Sequence, residues 1–370
     1  MMEADTPHSV RDSAGQRWPM LDGIVFARAS RPALAAHALH CLDAGDVETA
    51  LVALLADQDD WWQGRVADPA ALRRLVRDRA SLNLREAMAL LSWGPVADYF
   101  AHRWSDPTFL AGLALVEAHW SSPATVFELA CGIGQYLRAL AQQGAAVTGA
   151  DVVFAKLWVA RHWVVPEAEL ICFDAAVGSW PLDHRRRFGL IACHDAFYFL
   201  EPKGPILRQL RGMADQRGTL AISHIHNRDW PNLSPGAAMT AASVTALFPD
   251  GIVYDDAELT HAALQRRVPR SAPAAELAMA EAFGVAAGPG LRPPSRVCGA
   301  LAVSRDGTRL RRNPLYHDGR ILWPSERYER EYGPRATYPM RATCPEQAIA
   351  GAATADWALR RELLDLPERW

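Results

Sequence analysis

A chain of 370 residues, half of them hydrophobic, can bury a full core and is long enough for one large domain or one domain with a substantial attachment. Its formal net charge of -3 supplies no long-range positive field, which argues against nucleic acid and against an anionic membrane surface as partners. The start, "MMEADTPHSV", lacks a basic stretch followed by an apolar one, and nowhere do roughly 18 uncharged apolar residues run together. No membrane span is expected, and a cytoplasmic location follows by default.

Residues 1–30 are expected to form a flexible start. From 31 to 120 the pattern is helical: "PALAAHALHCLDAGDVETALVALLADQDDWW" and "LREAMALLSWGPVADYF" repeat apolar residues at helical spacing, broken at Gly64, Pro69, Gly94 and Pro95. An all-helical N-terminal domain is the reading, with Trp61, Trp62, Trp93, Trp104 and Trp120 as core or interface rather than ligand contacts. The six cysteines, Cys41, Cys131, Cys172, Cys193, Cys298 and Cys344, form no C-x-x-C pair and read as free thiols.

Between Ala124 and Asn227 short apolar runs alternate with helical stretches, the signature of strand-helix-strand units and a parallel sheet. Strands are expected at "TVFELA", "AAVTGAD", "AELICFD", "FGLIACHD" and "GTLAISHIHN", with helices at "QYLRALAQQG", "FAKLWVARHWV" and "KGPILRQLRGMAD". The domain is taken to run from 121 to 305, with a substrate-side insertion at about 228–296 in which "AASVTALF", "AELTHAALQRRV" and "APAAELAMAEAFG" read as helices and after which "VCGALAVS" reads as a late strand. The remainder, 306–370, is rich in Pro, Arg and Tyr and reads as a C-terminal extension and candidate lid; its "RLRR", Arg309 to Arg312, reads as a solvated face.

Ligands of an open parallel sheet bind beyond the carboxyl ends of the strands, and the informative residues lie there. "ELACGIGQ" places Gly132 and Gly134 between a strand and a helix, where bare backbone can approach a polar ligand. A dinucleotide fingerprint would want a third glycine at 137, and Leu137 stands there, which counts against NAD. Three acids close successive strands: Glu128 before the loop, Asp151 in "VTGAD" and Asp174 in "LICFD". A carboxylate in the position of Asp151 can accept from both hydroxyls of a ribose, and Asp174 from an exocyclic amine. An adenosine fits the pair.

With these motifs the segment from Ala124 to Asn227 resembles the class I S-adenosylmethionine-dependent methyltransferases. The resemblance implies a Rossmann-like α/β fold, doubly wound on a mostly parallel seven-stranded sheet, with S-adenosyl-L-methionine as cofactor. "ELACGIG" looks like the family's first motif, with Ala130 where many members have glycine. By that resemblance Glu128, Ala130, Gly132 and Gly134 face the methionine part of the cofactor, Asp151 and Val152 the ribose, and Asp174 and Ala175 the adenine. "FGLIACHDAFYFL" looks like the fourth-strand motif, with His194 beside the cofactor.

Displacement at a sulfonium releases a neutral leaving group, so the enzyme aligns the acceptor, excludes water and, for an acceptor that loses a proton, supplies a base. The candidates are His194 and Asp195 after the fourth strand and His224 and His226 at the end of the fifth, with Tyr198 and Asn227 as substrate contacts. His224 and His226, two apart on a strand, share a face. A histidine base is one reading and a metal held by the histidines and Asp195 another; the site is read with no metal. The loop "NRDWPNLSPGAAMT" suits the mouth of the cleft. The function expected is O- or N-methylation of a small molecule in secondary-metabolite or polysaccharide biosynthesis, with a homodimer considered as the assembly. An aminocarboxypropyl transferase or cyclase releasing methylthioadenosine, and a noncatalytic cofactor-binding partner subunit, are the alternatives.

Overall fold

The computed structural model describes residues 2–231 and 236–370; positions 232–235 of the expected cleft-mouth loop lie outside the described residues. The chain divides into two compact units, one made of Met1–Ala97, Ala124–Phe188 and Glu368–Trp370, the other of Asp98–Pro123 and Gly189–Pro367. The helical front piece is therefore not a domain of its own, because its last helix, Pro107–Ala118, is buried along its whole length in the second unit.

In the first unit, residues 3–26 are not a flexible start. They form β1 (Glu3–Thr6), β2 (Ser9–Arg11), β3 (Arg17–Leu21) and β4 (Ile24–Phe26), antiparallel in succession. β4 then pairs in parallel with β7 (Glu169–Cys172), which lies beside β6 (Ala146–Asp151), itself parallel to β5 (Thr125–Leu129). Ile24 and Phe26 are fully buried, and that apolar pair docks the start of the chain on the sheet. Helices 32–43, 47–56, 69–78 and 84–90 follow β4. Asp46 and Asp68 cap two of them, and Asn83 with Glu86 forms a reciprocal capping box on a third.

The helix Gln135–Ala141 lies close on β6. A Cβ built on Gly149 would stand 2.5 Å from Leu137 Cδ1 and 2.8 Å from Cys131 Sγ. The close helix-on-sheet approach that a dinucleotide fingerprint obtains from a glycine on the helix is obtained here from a glycine on the strand, which leaves room for Leu137.

The second unit carries β8 (Phe188–His194) beside β9 (Ala214–His226), then β11 (Ala282–Ala287) and β10 (Ile252–Asp255), with β9, β11 and β10 antiparallel in turn. The strand in this part of the chain is "AFGVAA" and not "VCGALAVS": 296–304 has no strand, and Gly299 at φ 83° turns the chain there. The expected helix 272–284 survives only as Ala274–Leu277. "RLRR" is a strand too, paired with Gln347–Ile349 and Leu363–Leu364, with Leu310 in a small core. A second core joins Leu315, Tyr316, Tyr328, Tyr332 and Tyr338 of the extension, with Tyr99 packed against it.

The chain adopts the expected α/β, Rossmann-like class, with parallel strands at its centre and helices between them. Trp93 and Trp104 are buried as expected, whereas Trp61 is half exposed. All six cysteines are free. No helix among the described residues is long and apolar enough to cross a membrane.

Candidate functional site

In the first unit the chain leaves β5 through Ala130, whose φ of 57° is left-handed, and Gly132 and Gly134 follow at 56° and 82°. For an alanine this conformation costs about 1–2 kcal/mol, and the loop keeps it. Asp151, at the end of β6, braces the turn. Its Oδ2 accepts from Gly132 N–H at 3.0 Å and its Oδ1 from Val153 N–H at 2.9 Å. Lys156 Nζ stands 3.7 Å from the same carboxylate and 3.5 Å from Asp59 Oδ2. Burial opposes the Lys156 charge, but Asp151 and Asp59 outweigh it and hold its pKa above the ordinary value. A carboxylate has about four acceptor sites, so two N–H bonds leave Asp151 capacity for a diol.

Glu128, near the end of β5, is buried, and Val152 beside Asp151 is partly exposed. Asp174 is half-buried and accepts from Ala176 N–H at 2.9 Å. Trp180 donates its indole N–H to Ala175 O at 3.1 Å and packs on Phe173 with ring centres 5.4 Å apart. Neither Lys156 nor Trp180 was expected in the neighbourhood of these acids. An apolar strand-helix pattern reads Lys156 as an ordinary helix residue.

In the second unit the strand ends converge on a different chemistry. β9 carries Ser223 and His224 opposite the single residue Gly284 of β11, since Ile222 pairs with Val285 and Ile225 with Phe283. That is a β-bulge, and His224 in it has a φ of 53°. The bulge aims His224 Nδ1 at Asp256 Oδ2, 2.9 Å away. The His226 ring stands edge-on to His224, centroids 5.0 Å apart, and stacks on Tyr198 at 4.0 Å. Asp195, also left-handed at 51°, completes the cluster. Its Oδ1 accepts from Tyr198 OH at 3.0 Å and lies 3.8 Å from His226 Nε2. Its Oδ2 accepts from Tyr99 OH at 2.9 Å and pairs with Arg103 Nη1 at 3.1 Å.

Burial would raise the Asp195 pKa, but the Arg103 guanidinium, followed by His224 and His226, holds it below the usual carboxylate range. Burial likewise works against a charge on His224, and the carboxylates of Asp256 and Asp195 overcome it, so its pKa is raised. Asp195, His224 and His226 each bring a ligand atom within 4.8 Å of the others. Both Asp195 oxygens are nevertheless engaged by tyrosines and a guanidinium, and His224 gives Nδ1 to Asp256. The set fits a buried ion-pair network better than a metal centre.

Three of the expected site residues have other partners in the structure. His194 pairs its Nδ1 with Ser223 Oγ at 2.7 Å, and burial, reinforced by Arg103, depresses its pKa to about 3. Such an imidazole is neutral but too weak a base for work near neutrality. Asn227 is fully buried, donates to Ala278 O at 3.0 Å and Ala280 O at 2.7 Å, and accepts from Asp229 N–H at 3.1 Å. It ties down the loop after β9 and has no donor left for a substrate. Tyr198, expected to touch substrate, is buried and orients Asp195 and His226 instead.

Residues 127–222 match the family described as "Methyltransferase domain". A ubiquinone biosynthesis O-methyltransferase of Histophilus somni (strain 2336) is 27% identical over 154 residues, which are 40% of this chain and 64% of that enzyme. The chain thus spans less than two thirds of this relative's length. Among solved structures, the plantazolicin methyltransferase BpumL in complex with SAH is similar at 18% identity and a TM-score of 0.35, covering 50% of this chain and 82% of that one. The CcbJ methyltransferase from Streptomyces caelestis is similar at 20% identity and a TM-score of 0.29, covering 35% and 57%. The stretch similar to a methyltransferase domain is the one that holds the glycine loop, the strand-end acids and most of β9.

Proposed function

We propose that this chain transfers the methyl group of S-adenosylmethionine to an oxygen or nitrogen of a small molecule in secondary-metabolite or polysaccharide biosynthesis. The observation that carries the reading is the glycine loop braced on Asp151 inside the segment that matches the methyltransferase family. Gly132 and Gly134 take up the left-handed turn without a side chain, and Asp151 retains acceptor sites for the ribose hydroxyls. Glu128 and the loop are assigned to the methionine part of the cofactor, and Asp174 with Ala175 to the adenine. The cofactor supplies an electrophilic methyl on a sulfonium. For an acceptor that loses a proton the base is assigned to His226, whose imidazolium Asp195 would stabilise. The C-terminal extension, whose Tyr332 and Glu331 lie within electrostatic reach of Asp195, is assigned to covering the acceptor.

The test is product analysis after incubation with S-adenosylmethionine and a small-molecule extract as acceptor pool. Release of S-adenosylhomocysteine is expected. Methylthioadenosine in its place would mean that another carbon of the sulfonium is used. For the ribose assignment, Asp151→Ala should lower affinity for S-adenosylhomocysteine by about 1.5–3 kcal/mol, and because Gly132 loses its brace the melting temperature should fall too. Asp151→Asn, which keeps one oxygen for the loop, separates these effects. Wild-type affinity in both folded variants would remove Asp151 from the cofactor site.

A further inference from the structure

Asp256 has no part in the roles assigned so far. It opens the helix Asp256–Leu264 and is 3% exposed, and its Oδ1 lacks a hydrogen-bond partner among the described residues. A carboxylate buried to this degree is costly unless a cation answers it. Arg335 acts on it from a distance but forms its own pair with Glu281 at 3.2 Å. The group in contact is His224, through the 2.9 Å bond to Nδ1. His224 is also the residue that the bulge holds in a left-handed conformation costing about 1–3 kcal/mol. Strain and a buried carboxylate meet on one ring, and that ring faces His226 edge-on at 5.0 Å.

We propose that Asp256, acting through His224, is a positioning residue that orients the His226 imidazole and holds it ready to take the acceptor's proton. The proposal rests on the methyl-transfer reading above. Asp256 beside it favours the charged form of His224, and a charge 5.0 Å from His226 disfavours a second one there, which favours the form of His226 that can accept a proton. Asp195 pulls the other way from 3.8 Å, but Arg103 and the hydroxyls of Tyr99 and Tyr198 already draw on its charge. Also within electrostatic reach of Asp195 or His224 are His194 at the end of β8 and Arg335, Glu331 and Tyr332 from the extension. In the transfer, an acceptor oxygen forms its bond to the methyl carbon as the carbon–sulfur bond breaks with its electron pair going to sulfur. The hydroxyl proton passes to His226 and then to solvent.

Histidine-labelled NMR on the full chain tests this without an acceptor. In Asp256→Asn the titration of the His226 ring should move to higher pH by about one unit, the scale of a unit charge at this distance in a partly screened site, and the titration of His224 should move to lower pH. Asp256→Glu should restore both. A merely structural Asp256 would lower the melting temperature of Asp256→Asn and leave the His226 midpoint unmoved, which would overturn the proposal. If Asp256→Asn does not fold, His224→Gln removes the same cation, and an unmoved His226 there overturns it equally. Stoichiometric shifts of both rings on adding zinc chloride would instead make the cluster a metal site and end the proposal. Failure of the methyl-transfer reading would show separately, as absence of S-adenosylhomocysteine binding.

Discussion

Replacing His226 by alanine should lower the rate of S-adenosylhomocysteine release roughly 10²- to 10⁴-fold and leave cofactor affinity unchanged, the range expected when a general base is lost. The size of the effect follows from the surroundings. His226 is 7% exposed and stacked on Tyr198, with Asp195 placed to stabilise the proton once it arrives. Water reaches such a position poorly, so little solvent stands ready to replace the imidazole. His194→Ala, by contrast, removes a ring already neutralised by burial and bonded to Ser223, and its cost should appear in stability more than in the proton-transfer step. A His226→Ala enzyme that kept most of its rate while binding cofactor normally would leave catalysis to alignment of the acceptor alone.

Gly134→Val should abolish cofactor binding and destabilise the first unit together. Gly134 has a φ of 82°, where a branched residue is strained, and a Cβ there would stand 2.6 Å from Val165 Cγ1. Left-handed strain of about 1–2 kcal/mol and overpacking of about 1–3 kcal/mol act at the same position, a sizeable part of the roughly 5–15 kcal/mol by which domains are stable. Thermal melting and calorimetry with S-adenosylhomocysteine check the two losses. Gly134→Ala should show the same signs at smaller size, since it carries the strain without the branch. Wild-type melting and binding in the valine variant would mean that the loop does not depend on its left-handed turn.

The strands β5 to β9 were legible because buried strands of a parallel sheet are near-continuous apolar runs closed by polar residues. The four N-terminal strands were not. "EADT" and "SVR" are too short and polar to show a period, and only the pairing of β1 with β2 and of β2 with β3 makes them strands. "AFGVAA" read as helix because alanine favours helix, yet β9 and β10 on either side of it decide the matter. In the candidate site the acids and glycines assigned to the cofactor stand out by their position at strand ends. The partners of the base could not, because Tyr99 lies 96 positions before Asp195 and Asp256 lies 32 after His224. The bulge that turns His224 toward Asp256 was equally hidden, since it depends on Gly284 in another strand.

Calorimetric titration of the full chain with S-adenosylhomocysteine, with NAD in a parallel cell, addresses the cofactor assignment on which the rest depends. The account predicts one molecule of S-adenosylhomocysteine bound per chain, weakened in Asp151→Ala, and no heat from NAD. Saturable binding of NAD, or no binding of S-adenosylhomocysteine by a folded chain, would contradict it.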